Sequence, residues 1–291
     1  MSSSSKFVIA DGSPVYMSEA IRLFEVGSSA PAEVITSGRL YTMKAEVKND
    51  LGTLRSGRVH MYIHDAALGF NWETIKNSAW QDVKDFVLGA NATSWVESNS
   101  VWLATYSASS HPCALALAVL DDDDFNASTA GNLDVVGDGA LAQRNLSVVK
   151  SNFRGLFSLP FNIIHAGRVG VGPAEYEIRL RVVTGERLGA VLRAAAGGGA
   201  LAALRPSQVG ALRNLSLVQR SGRRATALPS ARELAARTPV LNVTLPPRQA
   251  SGATLVGSLE GRFAVVEVEQ IHAGVVVGGL VALVVNGRLF G

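Results

Sequence analysis

The stretch Gly57–Asp65 constrains the fold of this chain most strongly, because its side chains alternate in character. Val59, Met61 and Ile63 are apolar, and the positions between them carry His, Tyr and other polar groups. An alternation of period two is typical of a β-strand with one face on a core and the other toward water. Asp65 ends the stretch, and a carboxylate at the end of a buried strand needs donors, because burying it unpaired is costly. Asp65 is therefore a structural anchor or a functional group.

Most of the remaining chain also has the pattern of a β protein. Leu40–Val47 and Arg58–Ile63 are predicted to pair as a hairpin with a somewhat long loop. Cys113–Leu120 is apolar on both faces, which predicts a central, covered strand. Pro160 lies within the predicted strand Leu156–Ile164 and favours an edge position or a bulge there. The other predicted strands are Ser100–Tyr106, Leu146–Val149, Tyr176–Val183, Val240–Leu245 and a terminal hairpin of Phe263–Val268 with Val275–Val285.

Two segments have helical spacing instead. Ser13 and Pro14 are suited to the N-cap and the first position of a helix whose apolar stripe ends at Phe24. Over Trp72–Leu88 the apolar residues recur three and four positions apart, which predicts an amphipathic helix that stops at Gly89.

Composition divides the chain into three predicted parts. Residues 1–34 form an N-terminal tail and helix, and residues 35–185 form a β-core domain. Residues 186–291 form an Arg-rich C-terminal region, with short helices and loops over 186–250 and a terminal β-hairpin. The change after residue 185 is marked by Ala, Gly and Arg, with Gly and Pro interrupting the helical segments.

Charge is distributed unevenly along the chain. Residues 1–150 carry 11 Lys and Arg against 17 Asp and Glu, a net charge of −6, and residues 151–291 carry 16 Arg against 7 Glu, a net charge of +9. This asymmetry indicates that the second half meets a polyanion or an anionic surface. A bias toward Ala, Gly and Arg codons in a GC-rich gene would give the same composition. The candidate RNA-contacting residues are Arg193, Arg205, Arg213, Arg220, Arg223, Arg224, Arg232 and Arg237.

Catalytic and metal motifs are weak in this sequence. Cys113 is the only cysteine, which excludes an intramolecular disulfide and a cysteine-based metal cluster. The four carboxylates of Asp121–Asp124 diverge along the chain, so a solvated turn is favoured over a cation site. His64 beside Asp65 could orient a base, yet no Ser or Cys stands in a nucleophile-elbow context. We expect a protein that is not an enzyme and that uses no cofactor and no metal.

The order of these elements resembles a known family. A strand at Leu40–Val47, the segment Gly57-Arg58-Val59 followed by Ile63-x-Asp65, a helix and the apolar strand Cys113–Leu120 are similar to the thirty-kilodalton superfamily of plant-virus cell-to-cell movement proteins. Ile63 and Asp65 stand at the Leu-x-Asp signature of that family, with Ile in place of Leu. The spacing to Leu159–Asn162 is similar to that of cucumovirus and umbravirus members. A rival register places the signature at Leu120-Asp121-Asp122.

The resemblance implies a mainly β, jelly-roll-like antiparallel sandwich or barrel with a few flanking helices. It implies binding of single-stranded RNA, self-association, contact with host plasmodesmal or membrane factors, and transport of the viral genome between plant cells. The expected location is the plasmodesmata and cytoplasm of the host cell. Asp65 would support the core, and the arginines would contact RNA. Two alternatives stay open: a jelly-roll capsid protein of a small RNA virus, and an Asp/His hydrolase.

Overall fold

The computed structural model describes residues 7–12, 16–32, 35–65, 67–69, 75, 78, 80–105, 112–121, 139–165, 172–195, 203–219, 225–227, 238–247 and 249–290. In the first half the strands are β1 (Phe7–Val8), β2 (Ile21–Glu25), β3 (Leu40–Asn49), β4 (Arg55–Asp65), β5 (Trp80–Leu88), β6 (Thr93–Glu97), β7 (Trp102–Leu103), β8 (Pro112–Leu120) and β9 (Leu141–Arg144). In the second half they are β10 (Leu146–Ser151), β11 (Leu156–Ile164), β12 (Ala174–Val182), β13 (Ala211–Gln219), β14 (Ala225–Ala227), β15 (Thr238–Leu245), β16 (Ala250–Glu260), β17 (Phe263–His272) and β18 (Val275–Asn286).

Helices are a minor part of the described chain. One α-helix, α1 (Gly185–Ala195), and short 3-10 helices at Pro206–Gln208 and Gly287–Phe290 accompany the strands. No helix within the described ranges is long and apolar enough to cross a membrane. The prediction of a mainly β fold built from antiparallel sheets is therefore confirmed.

The strands form four sheets, which pack in pairs as two sandwiches. Sheet I holds β3 between β1 and β2 on one side and β6 and β7 on the other, and sheet II has the order β5-β4-β8-β9. Sheet III has the order β11-β16-β13-β14, and sheet IV has the order β10-β18-β17-β12-β15. Sheets I and II share one buried apolar cluster, and sheets III and IV share another. The first sandwich is built from residues before Asn145, and the second from residues after it.

Period-two alternation explains the two cores. Along β4, Val59, Met61 and Ile63 are buried between sheets I and II, as their alternation predicts. Along β12, Tyr176, Ile178 and Leu180 are buried between sheets III and IV. Each of these alternating residues removes apolar surface from water, which is the main stabilising term in a sandwich of this kind.

Several individual strand predictions are confirmed. β8 lies between β4 and β9 and is buried almost throughout. β11, which contains Pro160, lies at the edge of sheet III and pairs with β16 alone. The terminal hairpin is present as β17 and β18, which pair antiparallel from Phe263 with Val285 to His272 with Val275.

The predicted hairpin of Leu40–Val47 with Arg58–Ile63 is wrong. β3 and β4 both form, but β3 belongs to sheet I and β4 belongs to sheet II. The fully buried Asn49 directs this crossing: its Nδ2 donates to the carbonyl oxygens of Thr53 at 2.9 Å, Leu88 at 3.2 Å and Gly89 at 2.9 Å. These bonds fasten the connection to β5 of the opposite sheet instead of closing a hairpin.

Both helices predicted in the first half are wrong over most of their described residues, although Ile75, within the predicted Trp72–Leu88, is helical. Ile21–Glu25 is a strand, because it pairs antiparallel with β3 from Ala45 to Tyr41, while Ser13 and Pro14 lie outside the described residues. Trp80–Leu88 is strand β5 at the edge of sheet II. The helical pattern in β5 arose because Asp82 and Lys84 occupy positions where a strand usually carries apolar residues.

Asp82 and Lys84 are satisfied by a neighbouring loop. The Asp82 carboxylate accepts a hydrogen bond from the Ser100 N–H at 2.8 Å, and Lys84 Nζ donates to Asn99 Oδ1 at 2.8 Å. Most of the remaining predicted helix, Trp72–Ala79, lies outside the described residues.

Among the described residues of 186–250, the expectation of short helices and loops holds for α1 and for the 3-10 helix at Pro206–Gln208. β13 crosses this region and pairs with β16, and a bulge between Arg213 and Ser216 shifts its register. Asn214 has φ 51° at this bulge. The bulge interrupts the alternation of period two and hides the strand from a search for that pattern.

Strand pairing crosses the predicted boundary at residue 185. Four ladders, β10 with β18, β11 with β16, β12 with β15 and β12 with β17, join strands from 35–185 to strands from 186–291. The two segments are therefore interleaved within sheets III and IV.

Asn145 is the single residue between β9 of the first sandwich and β10 of the second. It is fully buried, its N–H donates to the Tyr16 carbonyl at 2.8 Å, and its carbonyl accepts from the Val281 N–H at 3.0 Å. Its side-chain Nδ2 donates to the carbonyls of Ala67 at 2.8 Å and Gly279 at 2.9 Å. One residue thus joins three separate chain segments across the junction.

A buried ionic cluster lies on the outer face of sheet IV, beneath α1. Glu267 of β17 accepts hydrogen bonds from the Tyr16 hydroxyl at 2.5 Å and from the guanidinium groups of Arg181 and Arg187. Glu267 is buried, and burial followed by the neighbouring carboxylate of Glu267 raises the pKa of Tyr16 well above its ordinary value. The cluster ties the N-terminal segment and α1 to the second sandwich.

We expect Asn145→Ala to lower the free energy of unfolding by about 2–4 kcal/mol, because it removes two buried hydrogen bonds, to the carbonyls of Ala67 and Gly279. Urea denaturation followed by circular dichroism measures the change. Asn242→Ala, at an exposed position of β15, is the matched control and should change stability by less than about 0.5 kcal/mol. Equal effects of the two substitutions would contradict the role given to Asn145.

We expect Glu267→Gln to destabilise the protein by about 3 kcal/mol, because two guanidinium groups then face a neutral amide in a buried site. Glu260→Gln is the matched control: Glu260 pairs with Arg213 at the surface, and such pairs contribute at most about 1 kcal/mol. The measurement is again urea denaturation at neutral pH. A loss no larger than that of the control would show that the buried cluster does not hold α1 on the sheet.

Candidate nucleic-acid interface

Four chain segments meet at one end of the second sandwich, where strands of sheets III and IV begin and end. The ladders show this directly: Leu156 pairs with Ser258 and Ala211 with Glu260 in sheet III, and Ser151 pairs with Asn286 in sheet IV. We call this surface the arginine end and define it as residues 152–155, 205–213, 258–262 and 286–288. Its exposed arginines are Arg154, Arg205, Arg213, Arg262 and Arg288.

Backbone hydrogen bonds hold these segments together. The Leu259 N–H donates to the Gly155 carbonyl at 2.8 Å, and the Gly210 N–H donates to the Phe263 carbonyl at 2.6 Å. The Asn286 N–H donates to the Arg262 carbonyl at 2.8 Å. Because these bonds join the four segments to one another, the arginines project from a fixed backbone.

Side chains add further bonds at the same end. Asn286 Oδ1 accepts from the Arg288 N–H at 3.1 Å, and Asn286 Nδ2 donates to the Gly261 carbonyl at 3.3 Å. The Arg205 N–H donates to Gln208 Oε1 at 3.1 Å, which orders the start of the 3-10 helix. Asn286 therefore links the segment that carries Arg262 to the one that carries Arg288.

The charge of the arginine end is strongly positive. Glu260 is the carboxylate within its four segments, so five arginines and one glutamate give a net charge of +4. Glu260 pairs with Arg213 at 3.1 Å, and the two side chains keep 61% and 64% of their surface exposed. Such an exposed pair is weak. The next carboxylate after β12 in the sequence belongs to Glu186, in the first turn of α1, and is not part of the four segments of the arginine end.

Phe153 is the most exposed large apolar side chain in the described part of the molecule, at 74%. It lies at the tip of the turn between β10 and β11, and the Arg154 guanidinium stands 5.3 Å from its ring centroid. The arginine end therefore combines cations with one accessible aromatic ring.

The predicted arginines are only partly brought together. Arg205 and Arg213 belong to the arginine end, whereas Arg193 is exposed in the last turn of α1. Arg220, Arg223, Arg224, Arg232 and Arg237 lie outside the described residues.

Sequence reasoning missed Arg154, Arg262 and Arg288. A local signal for them exists, because each stands next to a glycine and within three residues of the end of a predicted strand. These three arginines stand out only if two things are considered together: whether an arginine lies at the end of a strand, and how many other arginines lie near it in the sequence.

The two signature residues lie in different environments. Ile63 is buried in the core between sheets I and II. Asp65 is exposed at the end of β4, opposite Pro112 of β8. The neighbouring His64 donates from Nδ1 to the Asp65 backbone carbonyl at 2.8 Å.

Side chains that could hold a metal are dispersed. Within the described ranges, no group of three or more His, Cys, Asp or Glu side chains surrounds a common point. Cys113 is buried on the outer side of sheet II, and burial raises the pKa of its thiol. Of the run Asp121–Asp124, only Asp121 lies in the described residues, where it faces Arg58 at 3.7 Å.

Comparison with known proteins identifies no family. No family model matches the chain, and no curated protein matches it. The chain is similar to the CupB6 tip adhesin of Pseudomonas aeruginosa at 9% identity and a TM-score of 0.24, with 97% of both chains covered. It is similar to a Mobiluncus mulieris adhesin with intramolecular disulfide, isopeptide and ester cross-links at 6% identity and a TM-score of 0.25, covering 91% of this chain and 97% of that one.

A third similar structure is a red sea bream transglutaminase, at 13% identity and a TM-score of 0.24. The alignment covers 92% of this chain but 31% of the transglutaminase, so the chain spans about a third of that protein's length. TM-scores of this size do not establish a shared fold or a shared activity.

We expect Gly155→Ala to destabilise the turn that carries Phe153. Gly155 has φ +79°, and an added Cβ would lie 2.5 Å from the Leu259 carbonyl oxygen, so the substitution should cost about 1–3 kcal/mol of unfolding free energy. Gly52→Ala is the control, because nothing lies within 4 Å of an added Cβ there. Thermal unfolding measures both. Equal melting temperatures for the two variants would contradict this geometry.

Proposed function

We propose that the chain is a non-enzymatic protein that binds single-stranded RNA, with phosphate contacts made by the arginine end. The observation that supports this proposal is the convergence of five exposed arginines, opposed by one carboxylate, at one end of the second sandwich.

The chemistry of the guanidinium group supports an RNA ligand. Arginine donates two parallel hydrogen bonds to a phosphate, stays charged at any physiological pH, and stacks on bases. Neutralising phosphates releases condensed counterions, so binding by such a surface should be tight at low salt and weaken steeply as salt is added. A fixed backbone adds affinity, because the arginines need no reordering of the chain before they bind.

The biological role follows from the family resemblance of Gly57–Asp65. We propose that RNA binding serves movement of a viral genome between plant cells through plasmodesmata, with self-association along the RNA and contacts to host plasmodesmal or membrane factors. In this proposal the first sandwich, which contains Ile63 and Asp65, supplies protein contacts, and the second sandwich holds the RNA.

We expect the full-length protein to bind a labelled single-stranded RNA with a steep salt dependence. Changing Arg154, Arg262 and Arg288 to Gln should flatten the slope of log K against log salt by about 2, since each single-strand phosphate contact contributes about 0.7. Fluorescence anisotropy across a salt series measures the affinity and the slope together.

A matched variant changes Arg39, Lys48 and Lys84 to Gln, which removes the same charge from exposed or half-buried sites in the first sandwich. The proposal predicts that this control keeps the wild-type slope. If both triple variants lose affinity equally, net charge rather than the arginine end binds RNA. If wild type fails to bind at low salt, RNA binding itself is excluded, and assembly of closed shells in electron micrographs would favour the capsid alternative over movement.

A further inference from the structure

The turn that carries Phe153 is built to present its ring to solvent. The Asn152 side-chain oxygen accepts hydrogen bonds from the N–H groups of Arg154 and Leu156, both at 2.9 Å. The Asn152 N–H donates to the Leu156 carbonyl and the Gly155 N–H donates to the Asn152 carbonyl, both at 2.8 Å. Four hydrogen bonds thus close a turn of four residues, and the ring at its tip is held outward by an ordered backbone.

An aromatic side chain in this position has no role in the core. The second core ends at Phe157 on β11, which is buried, while Phe153 keeps 74% of its surface in contact with water. Exposing a phenyl ring forgoes the stabilisation of about 1.5–3 kcal/mol that its burial would supply. A ring kept outside among arginines is suited to contact with a ligand.

We propose that Phe153 is a stacking platform for an unpaired base of a single-stranded nucleic acid, an inference that rests on the proposed RNA-binding function. Bases stack on aromatic side chains without a strong sequence preference, because every base has a π face. The Arg154 guanidinium lies over the ring, 5.3 Å from its centroid, so a base stacked on the opposite face would have a cation close by. In a duplex the bases are already stacked on one another, so this contact selects for single strands.

The geometry favours a base over an anionic membrane surface. Leu156, the next exposed apolar residue, alternates with the buried Phe157 and therefore faces outward from sheet III, away from the tip. The tip itself then offers one ring, whose flat face matches one base. Insertion into lipid is favoured by a larger apolar area, with several side chains entering the bilayer boundary together.

The test compares ligands that share phosphates but differ in bases. The full-length protein is titrated with a labelled oligouridine, an abasic oligomer of the same length, a duplex of the same length and phosphatidylserine vesicles. The variants are Phe153→Ala, Phe153→Trp and Arg288→Gln. Because Phe153 is exposed, Phe153→Ala should fold normally, and its urea midpoint checks this directly.

We expect Phe153→Ala to weaken oligouridine binding about tenfold and to leave abasic binding within about twofold of wild type. Phe153→Trp should bind oligouridine at least as tightly as wild type, and Arg288→Gln should weaken both ligands to a similar degree. Duplex binding should be insensitive to Phe153→Ala.

Four outcomes overturn the inference. If Phe153→Ala weakens oligouridine and abasic binding equally, the ring acts through the backbone of the turn and not by stacking. If Phe153→Ala weakens only vesicle binding, the ring is a lipid contact. If Arg288→Gln weakens both oligomers but Phe153→Ala weakens neither, the proposed function stands and the stacking role fails, whereas absence of any nucleic-acid binding removes both.

Discussion

The structure depends on the passage of the chain through Asn145. Sheets II and IV need β9 and β10 on either side of this residue, so it must change sheets with no loop in which to turn. A buried residue in such a place must satisfy its backbone and side chain without water. Asn145 meets most of this requirement: its backbone bonds Tyr16 and Val281, and its Nδ2 donates to the carbonyls of Ala67 and Gly279, while its Oδ1 is buried without a hydrogen-bond partner among the described residues. Together with the bond from the Leu68 N–H to the Asn162 carbonyl, these contacts hold the first half of the chain against the second sandwich.

This junction determines which ends of the second sandwich are free. The Asn145 end of β10 meets the first half of the chain, because the Asn145 side chain donates to the Ala67 carbonyl. The opposite end, where β10 finishes at Ser151, carries the connections that form the arginine end. The charge asymmetry of the sequence thus becomes a spatial asymmetry: part of the basic half is concentrated at the tip farthest along β10 from the junction.

The sequence was most informative where one face of a strand is buried and the other is solvated. β4 and β12 could be read from alternation, because the core imposes a period of two on their residues, whereas β17 and β18 are buried on both faces and were predicted from their apolar runs. Prediction failed where a polar residue occupies an inward-facing position of a strand and its hydrogen-bond partners are distant in sequence. Asp82 and Lys84 disguise β5 as a helix because their partners, Asn99 and Ser100, come from a loop that no local pattern connects to them.

The candidate site shows the same division. Density of arginine along the chain drew attention to 186–250, and two of its members, Arg205 and Arg213, do reach the arginine end. Arg154, Arg262 and Arg288 were missed because they lie far apart in sequence. Their proximity arises from sheet pairing, a property of topology that composition does not contain. A count of arginines along the sequence detects only clusters of residues that are close in sequence. This surface is assembled from four segments that are far apart in sequence.

The parallel ladder between β10 and β18 has a consequence for how the protein is made. Val281 lies 135 residues after its partner Leu146, so this pairing closes a very long loop and contributes to slow, non-local folding. During vectorial synthesis, β10 emerges from the ribosome long before β18 exists, and one side of sheet IV stays open until then. Arg288 follows β18 directly. A nascent chain therefore cannot assemble the full arginine end until β18 and Arg288 have been synthesised.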